Sequence, residues 1–285
     1  MGQDNNRMKA TFYGVRGSIA VPGIDTVRYG GNTSCVHLEL DDGSQLIFDA
    51  GTGIRPLGDR LAGSDCDITL LFSHHHWDHI QGLPFFRPIY QQGRSVRLLS
   101  AHLARGEALA VLDQMIDPHF PVTGESLRAD ISVLELDAQG RIRIGDAMIE
   151  ACPTNHPGGG AAFRVNTASG SLAYVTDNEL FPPGEAATPY PGWVDFLRGV
   201  DVLIHDAMYL ESELEEVRGW GHSSIRQALR LACDCDARHL CLFHHDPSRT
   251  DDALDAILAD ARQWMAEQGC ECSVTIATEG ETVEV

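Results

Sequence analysis

The chain has 285 residues, of which 43% are hydrophobic and 22% charged, a composition that supports a sizeable globular core. Its formal net charge is −20 and it has no run of five or more Lys and Arg residues, which argues against a large nucleic acid as partner. No apolar run reaches the length of a membrane span, and the first residues do not read as a secretory signal. We therefore expect one domain over residues 1–285, located in the cytoplasm, with no membrane partner.

Apolar periodicity predicts strands through the first part of the chain and alternating strands and helices at its end. The predicted strands are 10–15, 35–40, 45–49, 68–72, 131–136, 141–144, 147–152, 161–166, 171–176, 200–205, 239–243 and 272–277. Helices are predicted over 100–117, from a cap at Ser223 or Ser224 to about 233, and from a cap at Ser248 or Thr250 to Gly269. The pattern suits two packed sheets with helices outside.

Two features outside these elements allow further expectations. The proline-rich segment 181–193 predicts a long loop, which would serve as a lid or as a dimer contact.

The eight cysteines contain no C-x-x-C motif, so we expect reduced thiols packed as small apolar side chains. The C-x-C pairs at 233/235 and 270/272 lack a second ligand pair at the usual zinc spacing, so no metal is expected there.

The stretch SHHHWDH at 73–79 directly follows the predicted strand 68–72. In extended backbone His74 and His76 project to the same side, and His75 projects to the other. If the chain then turns into a helix, Asp78 and His79 face a neighbouring position. Imidazole and carboxylate suit zinc, manganese or iron, so the cluster predicts two divalent metal ions side by side.

This cluster resembles the H-x-H-x-D-H signature of the metallo-β-lactamase superfamily. Four further motifs follow the order of that family: FDAGTG at 48–53, TNHPGGG around His156, AYVTDN around Asp177 and CLFHHDP around His244. The resemblance covers nearly the whole chain. It implies an α/β fold, a four-layer αβ/βα sandwich of two mixed β-sheets flanked by helices, with the metal ions at one edge between the sheets.

The resemblance also implies a role for each side chain of the cluster. One metal ion would be held by His74, His76 and His156, the other by Asp78, His79 and His244, with Asp177 bridging both. Zinc is the first choice, and manganese and iron are the alternatives. By residue type alone, either His244 or His245 could be the last histidine ligand. The family pattern favours His244. Asp49 is expected to brace the loops by hydrogen bonds rather than bind metal.

A narrower resemblance concerns the C-terminal half. The segments DVLIHDAM at 201–208, GHSS at 221–224 and LFHHDP at 242–247 are similar to the tRNase Z-like phosphodiesterase branch. It implies attack by a metal-bridging hydroxide that Asp78 orients or deprotonates, with His222 as general acid and Asp206 as its partner. The following helix dipole disfavours a protonated His222, and a nearby carboxylate favours it. Alternatively, the pair serves only in capping or packing.

Three polar residues of the early loops are candidates for substrate contact. Arg16, Arg28 and Asn32 would bind the non-bridging oxygens of a phosphate. The two arginines are equally compatible with an ordinary surface role.

The chain departs from the tRNA-processing members at three places. Trp77 replaces a glycine, Asp206 replaces a glutamate, and the short stretch between Asp177 and Asp201 replaces the arm that grips tRNA. The sequence therefore predicts a dinuclear metal-dependent hydrolase acting on a small phosphodiester, such as a cyclic nucleotide or nucleotide-like diester. The alternatives are a thioester, lactone or β-lactam hydrolase, or a non-hydrolytic metal-binding or redox accessory protein. A tRNA-processing nuclease is less favoured, and a homodimer is suggested by resemblance only.

Overall fold

A computed structural model describes residues 7–101, 109–115 and 120–285. Its strands, in chain order, are β1 Lys9–Gly14, β2 Cys35–Glu39, β3 Gln45–Phe48, β4 Ile68–Phe72, β5 Ser95–Ser100, β6 Asp130–Val133, β7 Arg141–Ile144, β8 Ala147–Pro153, β9 Ala161–Asn166, β10 Ser171–Val175, β11 Val202–Asp206, β12 His239–Phe243, β13 Ser273–Ile276 and β14 Thr282–Glu284. The α-helices are α1 Ile54–Leu61, α2 Trp77–Ile80, α3 Tyr190–Leu197, α4 Leu214–Val217, α5 Ile225–Asp234 and α6 Asp251–Glu267.

The strands form two seven-stranded mixed sheets, each half antiparallel and half parallel. The first sheet has the order β14-β1-β2-β3-β4-β5-β6, and the second has the order β13-β12-β11-β10-β9-β8-β7. Pairing is parallel from β3 to β6 in the first sheet and from β10 to β13 in the second. Parallel neighbours end at the same edge, so the loops after these strands meet there.

The core consists of one layer between the sheets and one layer outside each sheet. Phe48, Phe163 and Phe243 from both sheets pack in the central layer. Leu57 of α1 packs outside the first sheet, and Leu229 of α5 packs outside the second. This arrangement confirms the predicted four-layer sandwich. Among the described residues, no helix is long and apolar enough to cross a membrane.

Some elements differ from the expectations. Strands β5 and β14 and helix α1 were not predicted; α1 carries Pro56 and Gly58, which weaken a helical signal. The predicted loop 181–193 ends at Pro189, because α3 begins at Tyr190. The predicted helix 100–117 lies partly outside the described residues, and its part at Leu109–Leu112 is a 3₁₀ helix.

The expectation of eight free thiols is wrong for two of the cysteines. Cys233, near the end of α5, and Cys270, after α6, form a disulfide with their Cα atoms 5.7 Å apart. The two cysteines are 37 residues apart in sequence, and only the packing of α5 beside α6 brings them together. The other six cysteines are free thiols.

Candidate metal centre

The candidate site lies where the parallel strands of both sheets end. Asp49 follows β3, Asp177 follows β10 after one residue, and His244 follows β12 directly. All three have left-handed backbone, with φ of 59°, 49° and 59°. Such residues are strained when they are not glycine, and they persist where the surrounding structure fixes them. The backbone therefore turns sharply at these three positions and keeps their side chains at the sheet edge.

A first set of candidate metal ligands brings together side chains that follow strands of both sheets. His74, His76, His156 and Asp177 each offer one ligand atom, and these atoms lie within 4.8 Å of one another. Nε2 of His74 is 3.6 Å and Nε2 of His156 is 3.7 Å from Oδ2 of Asp177. His74 and His76 do face the same group, as their spacing predicted.

A second set lies beside the first and shares Asp177 with it. Asp78, His79, His244 and Asp177 also have ligand atoms within 4.8 Å of one another. Oδ1 of Asp177 is 3.2 Å from Nε2 of both His79 and His244, while Oδ2 of Asp78 is 3.2 Å and 3.3 Å from the same two atoms. Asp177 thus presents one oxygen to each set.

The donor atoms in both sets fit divalent metal ions. Nε2 of His74 and Nε2 of His79 are buried and have no hydrogen-bond partner among the described residues. In two of the histidines the other ring nitrogen is held by a hydrogen bond. Nδ1 of His79 donates to Oδ2 of Asp49 at 2.7 Å, and Nδ1 of His156 donates to the carbonyl of Gly221 at 3.0 Å. This anchoring leaves the Nε2 lone pairs pointing at the carboxylates, the arrangement that metal-binding histidines have.

The electrostatics differ between the histidines: although burial lowers the pKa of His79, the facing Asp177, Asp78 and Asp49 outweigh it and raise this pKa well above its usual range. Burial lowers the pKa of His74, and the neighbouring His79 lowers it further, so this imidazole is neutral. Burial raises the pKa of Asp177, but the facing His244 and His79 outweigh this and hold it well below its usual range. A neutral imidazole and an ionised carboxylate are the protonation states that coordinate a cation.

Asp49 braces the site by hydrogen bonds, as the sequence predicted. Its carboxylate accepts from the backbone N–H and hydroxyl of Ser73 at 2.7 Å and 2.8 Å, and from His79. It also accepts from the hydroxyl of Tyr174 at 2.8 Å, a contact across the central layer that connects the two sheets. Sequence reasoning missed Tyr174, because its position in a fully buried strand gives no sign of a polar partner.

His222 and Asp206 form a close pair at the edge of the second set. Nδ1 of His222 is 2.8 Å from Oδ2 of Asp206, whose carboxylate is fully buried at the end of β11. Burial lowers the pKa of His222, but Asp206 and then Asp177 outweigh it and raise this pKa to about 9. Asp177, Asp206, His222 and His244 each also offer one ligand atom within 4.8 Å of the others, so His222 adjoins the second set.

Glu179 is a further residue of the site that the sequence did not reveal. Its nearly buried carboxylate accepts from the backbone N–H of Gly219 at 3.0 Å and of Gly221 at 3.1 Å. Gly221 in turn holds His156 and has φ of 87°; a Cβ there would lie 2.1 Å from Nδ1 of His156. The glycines at 219 and 221 were the available signal, but a lone G-x-G is too common to interpret.

The other histidines that the structure describes lie outside both sets. Nε2 of His75 is 2.9 Å from the hydroxyl of Ser100, and buried His245 bonds to the carbonyl of Ala277 at 2.9 Å. His244 therefore faces the cluster and His245 does not, as the family pattern favoured. His37 and His239 contact polar side chains of neighbouring strands, while His102 and His119 lie outside the described residues.

The structure places the three early loop residues in contacts within the protein, and their role in substrate contact stays a prediction. The Arg16 side chain is fully buried and donates to backbone carbonyls, including that of Arg249 at 2.7 Å. The guanidinium of Arg28 pairs with carboxylates of α6, with its NH2 group 2.5 Å from Asp252. Asn32 donates to Glu279 at 2.8 Å. All three are used in internal contacts, which a local sequence motif could not reveal.

Comparison with known proteins identifies the family. A family model described as the beta-lactamase superfamily domain matches residues 45–245. The chain belongs to the β-lactamase superfamily. It is 26% identical over 318 residues to a ribonuclease Z of Haloferax volcanii, a match that covers 95% of this chain and 96% of that protein. The resemblance deduced from the motifs is thereby confirmed, and so is the expectation of a hydrolase of this superfamily.

Two solved structures share the fold over nearly their whole length. The metallo-beta-lactamase fold protein YhfI from Bacillus subtilis aligns with a TM-score of 0.70 and 18% identity, covering 98% of this chain and 100% of that one. A diphosphatase of the PhnP family aligns with a TM-score of 0.69 and 19% identity, covering 98% of each chain. At these identities the likeness supports the fold alone.

Proposed function

We propose that the chain is a dinuclear metal-dependent phosphodiesterase that hydrolyses a small phosphodiester. His74, His76 and His156 would hold one ion, Asp78, His79 and His244 the other, and Asp177 would bridge them through its two oxygens. Zinc fits this donor set, with manganese and iron as alternatives. When bound, two such ions would activate water and offset the negative charge of the phosphate.

The protein's own residues supply the proton transfers. The backbone N–H of Ser18 donates to Oδ2 of Asp78 at 2.8 Å and fixes this carboxylate, which we assign to orient the attacking water and accept its proton. Nδ1 of His222 is committed to Asp206, so Nε2 is the atom that gives a proton to the leaving alkoxide as the phosphorus–oxygen bond breaks. Asp206 keeps the imidazole in this orientation and favours its protonated form.

The His222–Asp206 contact of 2.8 Å is the observation that carries the choice of bond. An alkoxide is a poor leaving group and needs a proton, so a positioned acid accelerates its departure. A thioester has less need of this pair, because a thiolate is a good leaving group. The pair therefore favours a phosphodiester over a thioester, one of the acyl substrates that other proteins of this fold could take.

Charge favours a small substrate. The net charge of −20 repels a polyanion, and the segment Phe181–Pro189 carries no Lys or Arg. Precursor tRNA is the second candidate substrate, because relatives named ribonuclease Z match this chain over nearly its full length. We rank it second because no basic arm is present between Asp177 and Asp201.

The test combines metal analysis with a substrate panel. We expect about two transition-metal ions per chain and turnover of bis(p-nitrophenyl) phosphate and of cyclic nucleotides. His76→Ala should lose metal, whereas His75→Ala, its neighbour outside both sets, should retain it. No phosphodiester turnover with zinc, manganese or cobalt would overturn the proposal. A higher kcat/KM for precursor tRNA than for any small diester would favour the second candidate.

A further inference from the structure

The turn at 218–221 is built as part of the candidate site. The backbone N–H groups of Gly219 and Gly221 both donate to the buried carboxylate of Glu179, and the N–H of Trp220 donates to the carbonyl of Val217 at 3.0 Å. A nearly buried carboxylate accepting from two N–H groups fixes the path of the backbone. The conformation of this turn is therefore set by the fold.

The same turn connects directly to the proposed catalytic groups. The carbonyl of Gly221 accepts from Nδ1 of His156, and His222 is the next residue in the chain. A Cβ added at Gly219 would lie 3.3 Å from Pro183, so the loop Phe181–Pro189 borders the turn on another side. Trp220 thus lies one residue from the group that orients His156 and two residues from the proposed acid.

The side chains on this fixed turn are left open to solvent. Trp220 is 61% exposed, although an indole of this size usually finds apolar contacts. Arg218 is exposed and has no ion-pair partner within the described part of the chain. By contrast, Arg16 and Arg28 are engaged elsewhere, and Arg249 pairs with Glu213. An exposed aromatic ring and an exposed cation therefore lie two residues apart on the turn that directly precedes His222.

We propose that Arg218 and Trp220 form a substrate-recognition turn that selects a nucleotide-type phosphodiester. The indole of Trp220 stacks on the planar base, and the guanidinium of Arg218 binds anionic oxygen of the phosphate. This inference rests on the proposed function and adds the class of substrate. Trp77 is also exposed beside the cluster, at 66%, but no comparable buried group holds its backbone within the described residues.

The first experiment uses two diesters with the same leaving group. Thymidine 5′-(p-nitrophenyl phosphate) carries a base, and methyl p-nitrophenyl phosphate does not. We expect Trp220→Ala to lower the preference for the thymidine ester, as a ratio of kcat/KM values, by about 5- to 100-fold. Trp220→Phe should keep the ratio within about threefold, since phenyl also stacks. Ile24→Ala, which removes an 89% exposed apolar side chain elsewhere, should keep the wild-type ratio.

The second experiment concerns the cation. Arg218→Ala should lower kcat/KM for both diesters by about 5- to 30-fold and reduce its dependence on salt, because both substrates carry the phosphate. Arg262→Ala is the matched control, since Arg262 is exposed on α6 and has no ion-pair partner among the described residues. Equal effects of the two substitutions would remove Arg218 from the proposal.

The outcomes separate the recognition turn from the proposed activity. If Trp220→Ala still cleaves both esters and keeps the wild-type ratio of kcat/KM values, the proposed recognition role of the turn is wrong. The proposed phosphodiesterase activity would then still stand. If the wild type cleaves neither ester, calorimetric titration with thymidine 5′-monophosphate decides. If thymidine 5′-monophosphate binds more weakly to Trp220→Ala than to the wild type, the recognition role of the turn is still supported. Equal binding to the two proteins would overturn that role.

Discussion

Asp49, Asp177 and His244 show how backbone strain and chemistry coincide in single residues. Each is a non-glycine residue with left-handed backbone at the end of a strand, and each faces the cluster or braces it. Such a conformation costs about 1–3 kcal/mol per residue and persists only where other contacts fix it. The hydrogen bonds of Asp49 to Ser73 and Tyr174 are contacts of that kind.

At the same scale, replacing His222 tests the role of its proton. We expect His222→Ala to lower the rate of cleavage of an alkyl or cyclic phosphodiester by about 10²- to 10³-fold. Cleavage of a p-nitrophenyl ester should fall much less, because p-nitrophenolate leaves without a proton. Parallel assays on the two ester types are the measurement. Equal losses on both would mean that His222 is not the acid.

His37 makes a residue-scale prediction about acid stability. Burial lowers its pKa from 6.5 to about 4, although the bond to Gln45 opposes this. The unfolded chain therefore binds more protons between these two pH values, so this residue's contribution to stability is complete above about pH 6.5 and is lost as the pH falls towards 4.

Urea unfolding of His37→Gln tests this expectation. Between pH 7 and pH 4.5 the variant should lose about 2–3 kcal/mol less unfolding free energy than the wild type, because glutamine does not titrate. His37 contacts neither ligand set, so metal content should be unchanged and serves as the control. Identical pH profiles for the two proteins would contradict the assignment.

At the scale of elements, two helices have their N-terminal caps two and six residues after candidate site residues. Ser224 caps α5 two residues after His222, and its hydroxyl and the Gln227 side chain form a reciprocal capping box. Thr250 caps α6 six residues after His244. The caps fix where each helix begins, and the preceding residues are thereby directed to the sheet edge.

The cap of α6 gives a prediction with a matched control. The sequence left Ser248 and Thr250 as equal candidates, and the structure assigns the cap to Thr250, whose hydroxyl accepts from the N–H of Ala253 at 3.2 Å. Thr250→Ala should lower the free energy of unfolding by about 1 kcal/mol. Ser248→Ala, whose hydroxyl contacts Asp246 instead, should change it less. Denaturant titration that ranks the two in the opposite order would contradict this.

At the scale of the whole molecule, the Cys233–Cys270 disulfide ties α5 to the residue after α6. It closes a loop of 37 residues, which restricts the unfolded chain and stabilises the fold by about 3–4 kcal/mol. We expect dithiothreitol to lower the melting temperature of the wild type and to leave that of the Cys233→Ala/Cys270→Ala variant unchanged. Thiol titration after denaturation should find the six free cysteines, and eight reactive thiols would contradict the pairing.

The pattern of apolar residues in the sequence predicted most strands but not every helix and strand. Strands with buried β-branched and aromatic residues, such as β4 and β12, stand out in sequence, whereas β14 has three residues and gains its place only by pairing with β1. The seven side chains grouped from motifs lie together, and their role as ligands stays a prediction, as does the homodimer. The burial of Arg16 was not predicted, because it depends on backbone carbonyls of residues far away in the chain.

The sequence by itself determined the cluster of histidines and aspartates, the order of its motifs and the family, because alternation and spacing are local properties of the chain. Only the tertiary structure decided which atoms meet. Asp177 faces both sets because β10 and β12, which flank β11, end at the same edge, where the segment after β4 of the first sheet meets them. Tyr174 reaches Asp49 because the sheets pack face to face. The same packing joined Cys233 to Cys270 and placed Glu179 under the turn that carries Trp220. These contacts join residues far apart in the chain, and their pairing is fixed by packing, which no local pattern encodes.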